Sequence, residues 1–149
     1  MTRSTASGAE LSTGAYRQLA DFRYRIRQFL HFSEEAARAH GIEPQQHQVL
    51  LAVKGLPQGM RPTVRTLSER LCLRHHSTVE LINRLVERGA VARRAGTEDR
   101  REVFIELTSL GERILRNLSL LHWEELKVAG PVLSEAIEEI LKQPVRSTK

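Results

Sequence analysis

Apolar residues recur at three- and four-residue spacing along the first part of the chain, which is the pattern of an amphipathic helix. The predicted helix begins near Tyr16 and ends at Gly41. Its stripe consists of the apolar residues Leu19, Phe22, Ile26, Phe29 and Leu30, with the small residue Ser33 at the next position. Pro44 suits a first helical turn, so we predict a second, short helix that starts there and ends at Gly55.

Two short helices joined by a tight turn are predicted in the middle of the chain. The stretch Thr66-Leu-Ser-Glu69 fits a capping box, which predicts a short helix to about Leu71. After the turn, a further helix covers about His75 to Arg88 and ends at Gly89.

A β-hairpin is predicted directly after this pair of helices. Val91 to Arg94 and Glu102 to Leu107 read as its two strands, and the stretch AGTEDR forms its tip. Two short helices with a tight turn, followed by a hairpin, make up a winged helix-turn-helix.

The end of the chain again has helical periodicity. Thr108 caps a long predicted helix that runs through about Val128, and Gly130-Pro131 is expected to break it. Apolar residues between positions 132 and 141 then predict a last amphipathic helix.

The helices at both ends carry apolar stripes that a small winged domain does not easily cover. Pairing with a second copy of the chain is the economical solution. We therefore predict a mainly α fold with a small β-hairpin wing, in which the winged helix-turn-helix is flanked by N- and C-terminal dimerisation helices. The predicted organisation is a single domain over 1–149, with a flexible arm at 1–14, dimerisation helices at 15–42 and 109–142, and the winged lobe at 43–108.

Charge and composition narrow the class of partner and the compartment. The 149 residues include 23 Lys and Arg against 18 Asp and Glu, and the formal charge of +5 favours an anionic partner. Cys72 is the only cysteine, so no disulfide forms within the chain, which fits a reducing cytosol. The N-terminus has no apolar leader and no run approaches the length of a membrane span. We expect a cytoplasmic protein without a membrane partner.

The stretch from Leu67 to Leu115 resembles the multiple antibiotic resistance regulator (MarR) family. Each matching fragment is common alone, but all of them in this order and spacing form a specific signal. The fragments are Leu67-x-x-x-Leu71, Leu81-Ile-x-Arg-Leu85, Glu87-Arg88-Gly89, Asp99-Arg100-Arg101 and Leu107-Thr108-x-x-Gly111. The resemblance spans about residues 15 to 142 and is dense between 66 and 115. It implies a homodimeric DNA-binding transcriptional regulator, often a repressor that a small aromatic ligand releases.

The helix from His75 to Arg88 is the predicted reader of the DNA major groove. Its core face holds Thr78, Leu81, Ile82 and Leu85. The opposite face can offer hydrogen-bond donors and acceptors to base edges. Arg74 stands where the family often has a small N-capping residue, which suggests a phosphate contact instead. The predicted DNA-contacting residues here are Arg74, His75, His76, Ser77, Val79, Glu80, Asn83 and Arg84.

The wing is the second predicted DNA-contacting element. In the family pattern an acid, one residue and then an arginine mark the wing tip, and here these are Asp99, Arg100 and Arg101. A guanidinium fits a narrow A·T-rich minor groove, where negative potential is concentrated. We expect Asp99 to accept hydrogen bonds from Arg101 or from nearby backbone, and Arg93 and Arg94 to meet phosphates.

Two histidines are candidates for the ligand site that the resemblance implies. Family members bind ligands in the crevice between the helical dimer lobe and the winged lobe. His47 takes a place where the family often has an aromatic residue, and His31 lies on the first helix. A histidine there could pair with a carboxylate or a phenol of a small aromatic ligand.

Metal and redox chemistry are weaker hypotheses. His75 and His76 are adjacent on a helix and point about 100° apart, so they cannot chelate one ion. No metal or cofactor is predicted. Cys72 lies where the family often has glycine, and we interpret it as a small turn residue packed against the core, with redox sensing as the alternative.

Three other functional classes are alternatives to a ligand-controlled repressor. The first is a redox- or metal-responsive regulator of the same fold. The second is a winged-helix protein-interaction module, which has no need for arginine at the wing tip. The third is an enzyme, but the sequence has no nucleophile–base–acid arrangement, phosphate loop or metal-ligand spacing. We predict an inverted-repeat, palindromic operator in double-stranded DNA as the partner of a homodimer.

Overall fold

The computed structural model describes residues 10–143, which form five helices and one two-stranded sheet. In chain order the elements are α1 (Thr13–Ala39), α2 (Pro44–Lys54), α3 (Val64–Leu71), α4 (His75–Glu87), β1 (Val91–Ala95), β2 (Val103–Leu107) and α5 (Ser109–Lys142). This order confirms the predicted mainly α fold with a β-hairpin wing. Of the predicted arm at 1–14, residues 1–9 lie outside the described part, and α1 begins at Thr13.

The chain divides into two compact units. One unit is Ser33–His122 and holds the whole winged helix-turn-helix, together with the adjoining ends of α1 and α5. The other consists of Met1–Phe32 and Trp123–Lys149, of which 10–32 and 123–143 are described. We refer to these as the winged unit and the terminal unit.

The winged unit has its own apolar core, to which every one of its elements contributes. Each Å² of apolar surface that these side chains remove from water stabilises the fold by about 25 cal/mol. This burial holds the short helices in place. The core residues are Ala37, Ile42, Val49, Leu50, Leu67, Leu81, Ile82, Leu85, Ala90, Val91, Ile105, Leu115 and Leu118. Helices α3 and α4 are too short to be stable alone, so packing against this core stabilises them.

The wing is an antiparallel hairpin with a defined register. Val91 pairs with Leu107 at its base and Ala95 with Val103 near its tip. Because side chains alternate along a strand, Arg93 and Arg94 project from opposite faces of the hairpin. The backbone N–H of Ile105 also donates to the carbonyl of Pro62 at 2.9 Å, which ties β2 to the loop before α3.

The N-terminal cap of α3 differs from the sequence prediction. The helix begins at Val64, and the hydroxyl of Thr63 accepts a hydrogen bond from the backbone N–H of Thr66 at 3.2 Å. The predicted capping box at Thr66 and Glu69 is therefore wrong. The Glu69 carboxylate instead accepts from Arg65 at 3.3 Å on the helix surface. Because Thr63 already caps the helix, Thr66 lies within its first turn as a backbone donor and does not act as a cap.

The predicted break at Gly130-Pro131 is also wrong, because α5 continues from Ser109 to Lys142 with Pro131 inside it. Proline's fixed φ is a helical value, so the penalty is confined to one lost hydrogen bond and a clash with the preceding turn. Within the terminal unit, Val128 before the proline and Val132 and Leu133 after it line one cleft with Phe29 of α1. Pro131 is therefore accommodated within a continuous α5.

Large apolar side chains lie exposed in the terminal unit, all but Leu11 of them on its helices. They are Leu11, Tyr16, Leu19, Tyr24, Leu30, Trp123, Leu126, Val128, Val132, Ile137 and Leu141. A single protomer rarely leaves so much apolar surface in water. Within residues 10–143, no helix combines the length and apolarity needed to cross a membrane.

Candidate nucleic-acid interface

Helix α4 presents two distinct faces. Thr78, Leu81, Ile82 and Leu85 are buried, which confirms the predicted core face. The Thr78 hydroxyl donates to the carbonyl of Arg74 at 3.1 Å, so this buried polar group is satisfied. The remaining predicted contact residues lie outside the core: His75, His76, Glu80, Asn83 and Arg84 are exposed, and Ser77 and Val79 are half-buried.

The two ends of α4 are formed differently. Arg74 is the N-cap residue in extended conformation, and its side chain makes no capping hydrogen bond. The exposed guanidinium is therefore free to meet another group. At the other end Gly89 adopts a φ of +78°, and the N–H of Ala90 closes the helix on the carbonyl of Leu85 at 2.9 Å. Glycine suits this left-handed position because it carries no Cβ.

The turn before α4 is built around Cys72. Its backbone is left-handed, with a φ of 54° and a ψ of 38°, and it caps the C-terminus of α3. This conformation explains why glycine is common there in the family that the sequence resembles, since glycine pays no steric cost. The thiol is exposed, so the expectation that Cys72 packs against the core is wrong. The turn itself is where it was predicted.

The two strand arginines of the wing have different partners. The Arg93 guanidinium donates a short hydrogen bond to Oδ1 of Asn83 on α4. Arg94, on the other face of the hairpin, pairs with the Glu106 carboxylate at 2.9 Å. The structure thus brings Arg93 together with the predicted reading face of α4 and directs Arg94 away from that contact.

The wing tip is held by Asp99. Its carboxylate accepts hydrogen bonds from the backbone N–H of Arg101 at 3.0 Å and from the Arg101 guanidinium at 3.2 and 3.3 Å. The side-chain hydrogen bond from Arg101, and then the backbone one, lower the pKa of Asp99 below its ordinary value. This confirms the predicted contact between the two residues. The Arg101 side chain remains 92% exposed, so the guanidinium is held in place yet accessible.

The geometry of the tip also depends on Gly96. A Cβ at this position would lie 2.5 Å from the carbonyl oxygen of Asp99. The Gly96 N–H donates to the carbonyl of Glu102 at 2.9 Å, and the Glu102 N–H donates to that of Asp99 at 3.2 Å. The close approach of the Gly96 and Asp99 backbones, together with these hydrogen bonds, fixes the turn that carries Arg100 and Arg101.

Arg61 is a wing contact that the sequence did not reveal. Its guanidinium binds the carboxylate of Glu102 at 2.7 Å and lies 3.7 Å from that of Glu98. These ion pairs and the hydrogen bond from Ile105 to Pro62 attach the wing to the loop before α3. The partners are 41 residues apart, and no periodic pattern in the sequence connects them.

The charges along this surface are unevenly neutralised. Arg61, Arg94 and Arg101 each have a carboxylate partner. Among residues 10–143, no carboxylate forms an ion pair with Arg74, Arg84 or Arg100. Exposed pairs contribute little stability, so the paired arginines can exchange partners at small cost. The positive charge therefore concentrates at the start of α4, near its end and at the wing tip.

The predicted ligand residue His47 belongs to a buried cluster of the winged unit. Its ring is 2% exposed and lies 5.0 Å from the ring of His122, centroid to centroid. Nδ1 of His122 donates to the carbonyl of Leu118 at 2.6 Å, and Nε2 lies 2.7 Å from the Ser33 hydroxyl oxygen. His31 is exposed on α1 of the terminal unit. A ligand role for either residue stays a prediction.

Acid is expected to destabilise the protein through His47. Burial, and then the charge on nearby His122, lower the pKa of His47 from 6.5 to about 4. The unfolded chain therefore binds this proton first, and stability is lost as the pH falls from about 6.5 towards 4. The loss is roughly 3 kcal/mol at 1.36 kcal/mol per unit. Urea unfolding between pH 4 and 7.5 measures it, with His47→Phe as the variant that lacks the titrating group. Parallel pH profiles for parent and variant would contradict the assignment.

Comparison with known proteins agrees with this architecture. Residues 40–102 match the sequence model of the MarR family. AbsC, a MarR family transcriptional regulator from Streptomyces coelicolor, has 18% identity and a TM-score of 0.71 over 89% of this chain and 93% of its own. CouR from Rhodococcus jostii, solved bound to p-coumaroyl-CoA, has 19% identity and a TM-score of 0.65 over 91% of this chain and 100% of its own.

A further solved structure contains DNA. A cysteine-to-serine mutant of MarR from E. coli, complexed with operator DNA, has 22% identity and a TM-score of 0.62 over 80% of this chain and 87% of its own. No curated protein matches the sequence significantly. The resemblance to the MarR family is confirmed: the chain has the winged-helix fold of MarR family transcription regulators, and residues 40–102 carry that family's sequence pattern.

Proposed function

We propose that this protein is a sequence-specific DNA-binding transcriptional regulator that acts as a homodimer, with α4 in the major groove and the wing in the flanking minor groove. The observation that carries the proposal is the wing tip, where Asp99 holds an exposed Arg101 on the hairpin that follows α4. An arginine that is held at its base by a carboxylate and otherwise exposed is suited to the narrow minor groove.

The exposed face of α4 supports the same function. His76, Glu80 and Asn83 lie on one outer face, where their side chains can donate to or accept from base edges. Glu80 repels phosphate, so its role is to accept from a cytosine amine or to hold a neighbouring arginine. Val79 is half-buried and reaches the groove with its methyl groups only.

Phosphate contacts come from the remaining cations. Arg74 at the start of α4, Arg84 near its end and Arg100 at the wing tip are exposed and free of ion pairs within the described chain. Such contacts fix register and carry no sequence information.

Regulation as a repressor and control by a ligand complete the proposal. CouR, which has this fold, was solved with p-coumaroyl-CoA bound. We infer that a small aromatic compound or its thioester binds this chain better in a conformation that does not fit DNA, because equal affinity for both conformations shifts nothing. Two-fold symmetry then requires an inverted-repeat operator with half-sites about 10 bp apart or multiples of this spacing.

Arg101→Ala is expected to weaken DNA binding by about 1–3 kcal/mol and to remove the preference for A·T base pairs at the flanks of the site. The reason is that the variant loses the group that senses the narrow minor groove. The measurement is affinity at several salt concentrations on otherwise identical sites with A·T or G·C flanks. Asp99→Ala should cause a smaller loss of the same kind, since it removes only the support.

Arg100→Ala is the matched control, because it removes one charge from the neighbouring position. It should weaken binding equally on both flanks and lower the salt slope by about one unit. If Arg101→Ala distinguishes the two flanks as the parent does, the tip is a solvated charged loop and the wing is not in the minor groove.

A further inference from the structure

The side chain of Asn83 is held by the wing. Asn83 is exposed on the outer face of α4, and its Oδ1 accepts a hydrogen bond from the guanidinium of Arg93 on β1. Arg93 lies opposite Ile105, which is fully buried. The stem of Arg93 therefore starts from the core-facing side of the hairpin, and only its head reaches the DNA-reading face.

The chemistry of the pair fixes which way the amide points. A guanidinium has five donors and no acceptor, so the Asn83 atom that faces it is the oxygen. Nδ2 consequently points away from Arg93, and it has no hydrogen-bond partner among residues 10–143. Asn83 thus presents an N–H donor outward.

We propose that Arg93 determines base specificity by orienting Asn83, so that this residue selects base edges that accept a hydrogen bond in the major groove. Such edges are N7 or O6 of guanine, N7 of adenine and O4 of thymine. The inference rests on the proposed function and goes beyond it, because it assigns to a strand arginine the selection of one position inside the half-site.

Without Arg93 the amide can turn over at small cost. Asparagine alone can donate, accept, or do both towards adenine, and it then tolerates the cytosine amine as well. Holding the oxygen at the protein side removes the orientation that accepts from cytosine. Selection at this position is therefore a property of the pair and not of Asn83 alone.

Arg94 offers a matched control within the same strand. It carries the same charge, lies one residue away, and pairs with Glu106 on the opposite face of the hairpin. Arg93→Ala and Arg94→Ala therefore remove equal charge, and both should weaken binding to all DNA to a similar degree. Only the first removes the hydrogen bond to Asn83.

The test uses the full-length protein and a site selected from random DNA, with every single-base variant of the half-site. For Arg93→Ala we expect one internal position to fall from about tenfold discrimination against cytosine to less than about twofold. Arg94→Ala should keep the tenfold discrimination. Arg93→Lys, which retains a donor, should restore part of it.

A double variant separates positioning from direct contact. If Arg93 acts through Asn83, adding Arg93→Ala to Asn83→Ala changes discrimination at that position no further. Independent losses in the double variant, or unchanged discrimination in Arg93→Ala, would overturn the inference while leaving the DNA-binding function intact. Failure of the parent protein to select any site would overturn both.

Discussion

Gly111→Ala is expected to destabilise the protein by at least about 3 kcal/mol. A loss of this size is a large fraction of the total stability of a small domain. A Cβ on Gly111 would lie 2.0 Å from the carbonyl oxygen of Ala90, where no real Cβ fits. That carbonyl also accepts from the N–H of Thr108 at 3.1 Å. The start of α5 and the start of β1 are thus in backbone contact, and neither can move without breaking a hydrogen bond.

Neighbouring bonds make this junction rigid. The Thr108 hydroxyl donates to the carbonyl of Gly89 and accepts from the N–H of Gly111 at 3.2 Å, which confirms Thr108 as the cap of α5. One side chain therefore joins the end of α4, the start of the wing and the first turn of α5. Alanine's better helix propensity, about 1 kcal/mol over glycine, is too small to offset the clash.

Gly130→Ala is the control from the same helix. No heavy atom of the described protomer lies within 4 Å of a Cβ added there, so the variant should be as stable as the parent or up to about 1 kcal/mol more stable. The measurement is the midpoint of urea unfolding for parent and both variants. Equal midpoints for Gly111→Ala and the parent would show that α5 does not lie so close to Ala90.

Aspartates at Trp123 and Leu126 are expected to abolish the dimer and, with it, specific DNA binding. The two side chains are three residues apart on one face of α5 and are 67% and 41% exposed. Exposed positions accept aspartate with little effect on the fold of a single protomer. In a dimer that covers this face, each carboxylate would be buried without a partner, at a cost of several kcal/mol.

The control keeps the apolar character of the face. Trp123→Phe with Leu126→Met should remain dimeric, since size and hydrophobicity change little. Sedimentation gives the mass of each variant, and affinity for a full inverted repeat gives its function. We expect the aspartate variant to lose at least about a hundredfold in affinity, because a single recognition helix and wing must bind alone. A dimeric aspartate variant would show that the partner covers another surface.

Features that depend on neighbours in the sequence were predicted well. The buried face of α4 follows from the helical spacing of Thr78, Leu81, Ile82 and Leu85, and the hairpin follows from alternation on either side of a glycine-containing tip. The Asp99–Arg101 contact spans two residues and was inferred from the resemblance. Gly111 belongs to another fragment of the same resemblance, and the structure supplies its physical reason, the nearby carbonyl of Ala90.

Two predictions of helix ends, at Thr66 and at Gly130-Pro131, are wrong because each relies on a single local signal. Thr66 fits a capping box by spacing, but Thr63 starts the helix three residues earlier and accepts from the N–H of Thr66 itself. Proline normally ends a helix, yet the fixed φ of Pro131 is a helical value and α5 continues through it. Local propensity is a weak guide to where a helix begins or ends, because the rest of the structure can override it.

The contacts that shape the site were the least predictable. Arg93 meets Asn83 across ten residues, and Arg61 meets Glu102 across forty-one. Arg93 and Arg94 looked equivalent in the sequence, and only the hairpin register assigns them to opposite faces. The partners of exposed charges depend on how the wing lies against α4, which no periodic pattern encodes.

Selection of bound sequences from a pool of random double-stranded DNA by the purified parent protein tests the central claim most directly. We predict enrichment of an inverted repeat with half-sites about 10 bp apart or multiples of this, and A·T-rich flanks where the wing tips would lie. The enriched site should bind at least about a thousandfold tighter than random DNA. A pool without an enriched repeat, together with equal affinity for all sequences, would contradict the assignment of α4 and the wing as a sequence-reading surface.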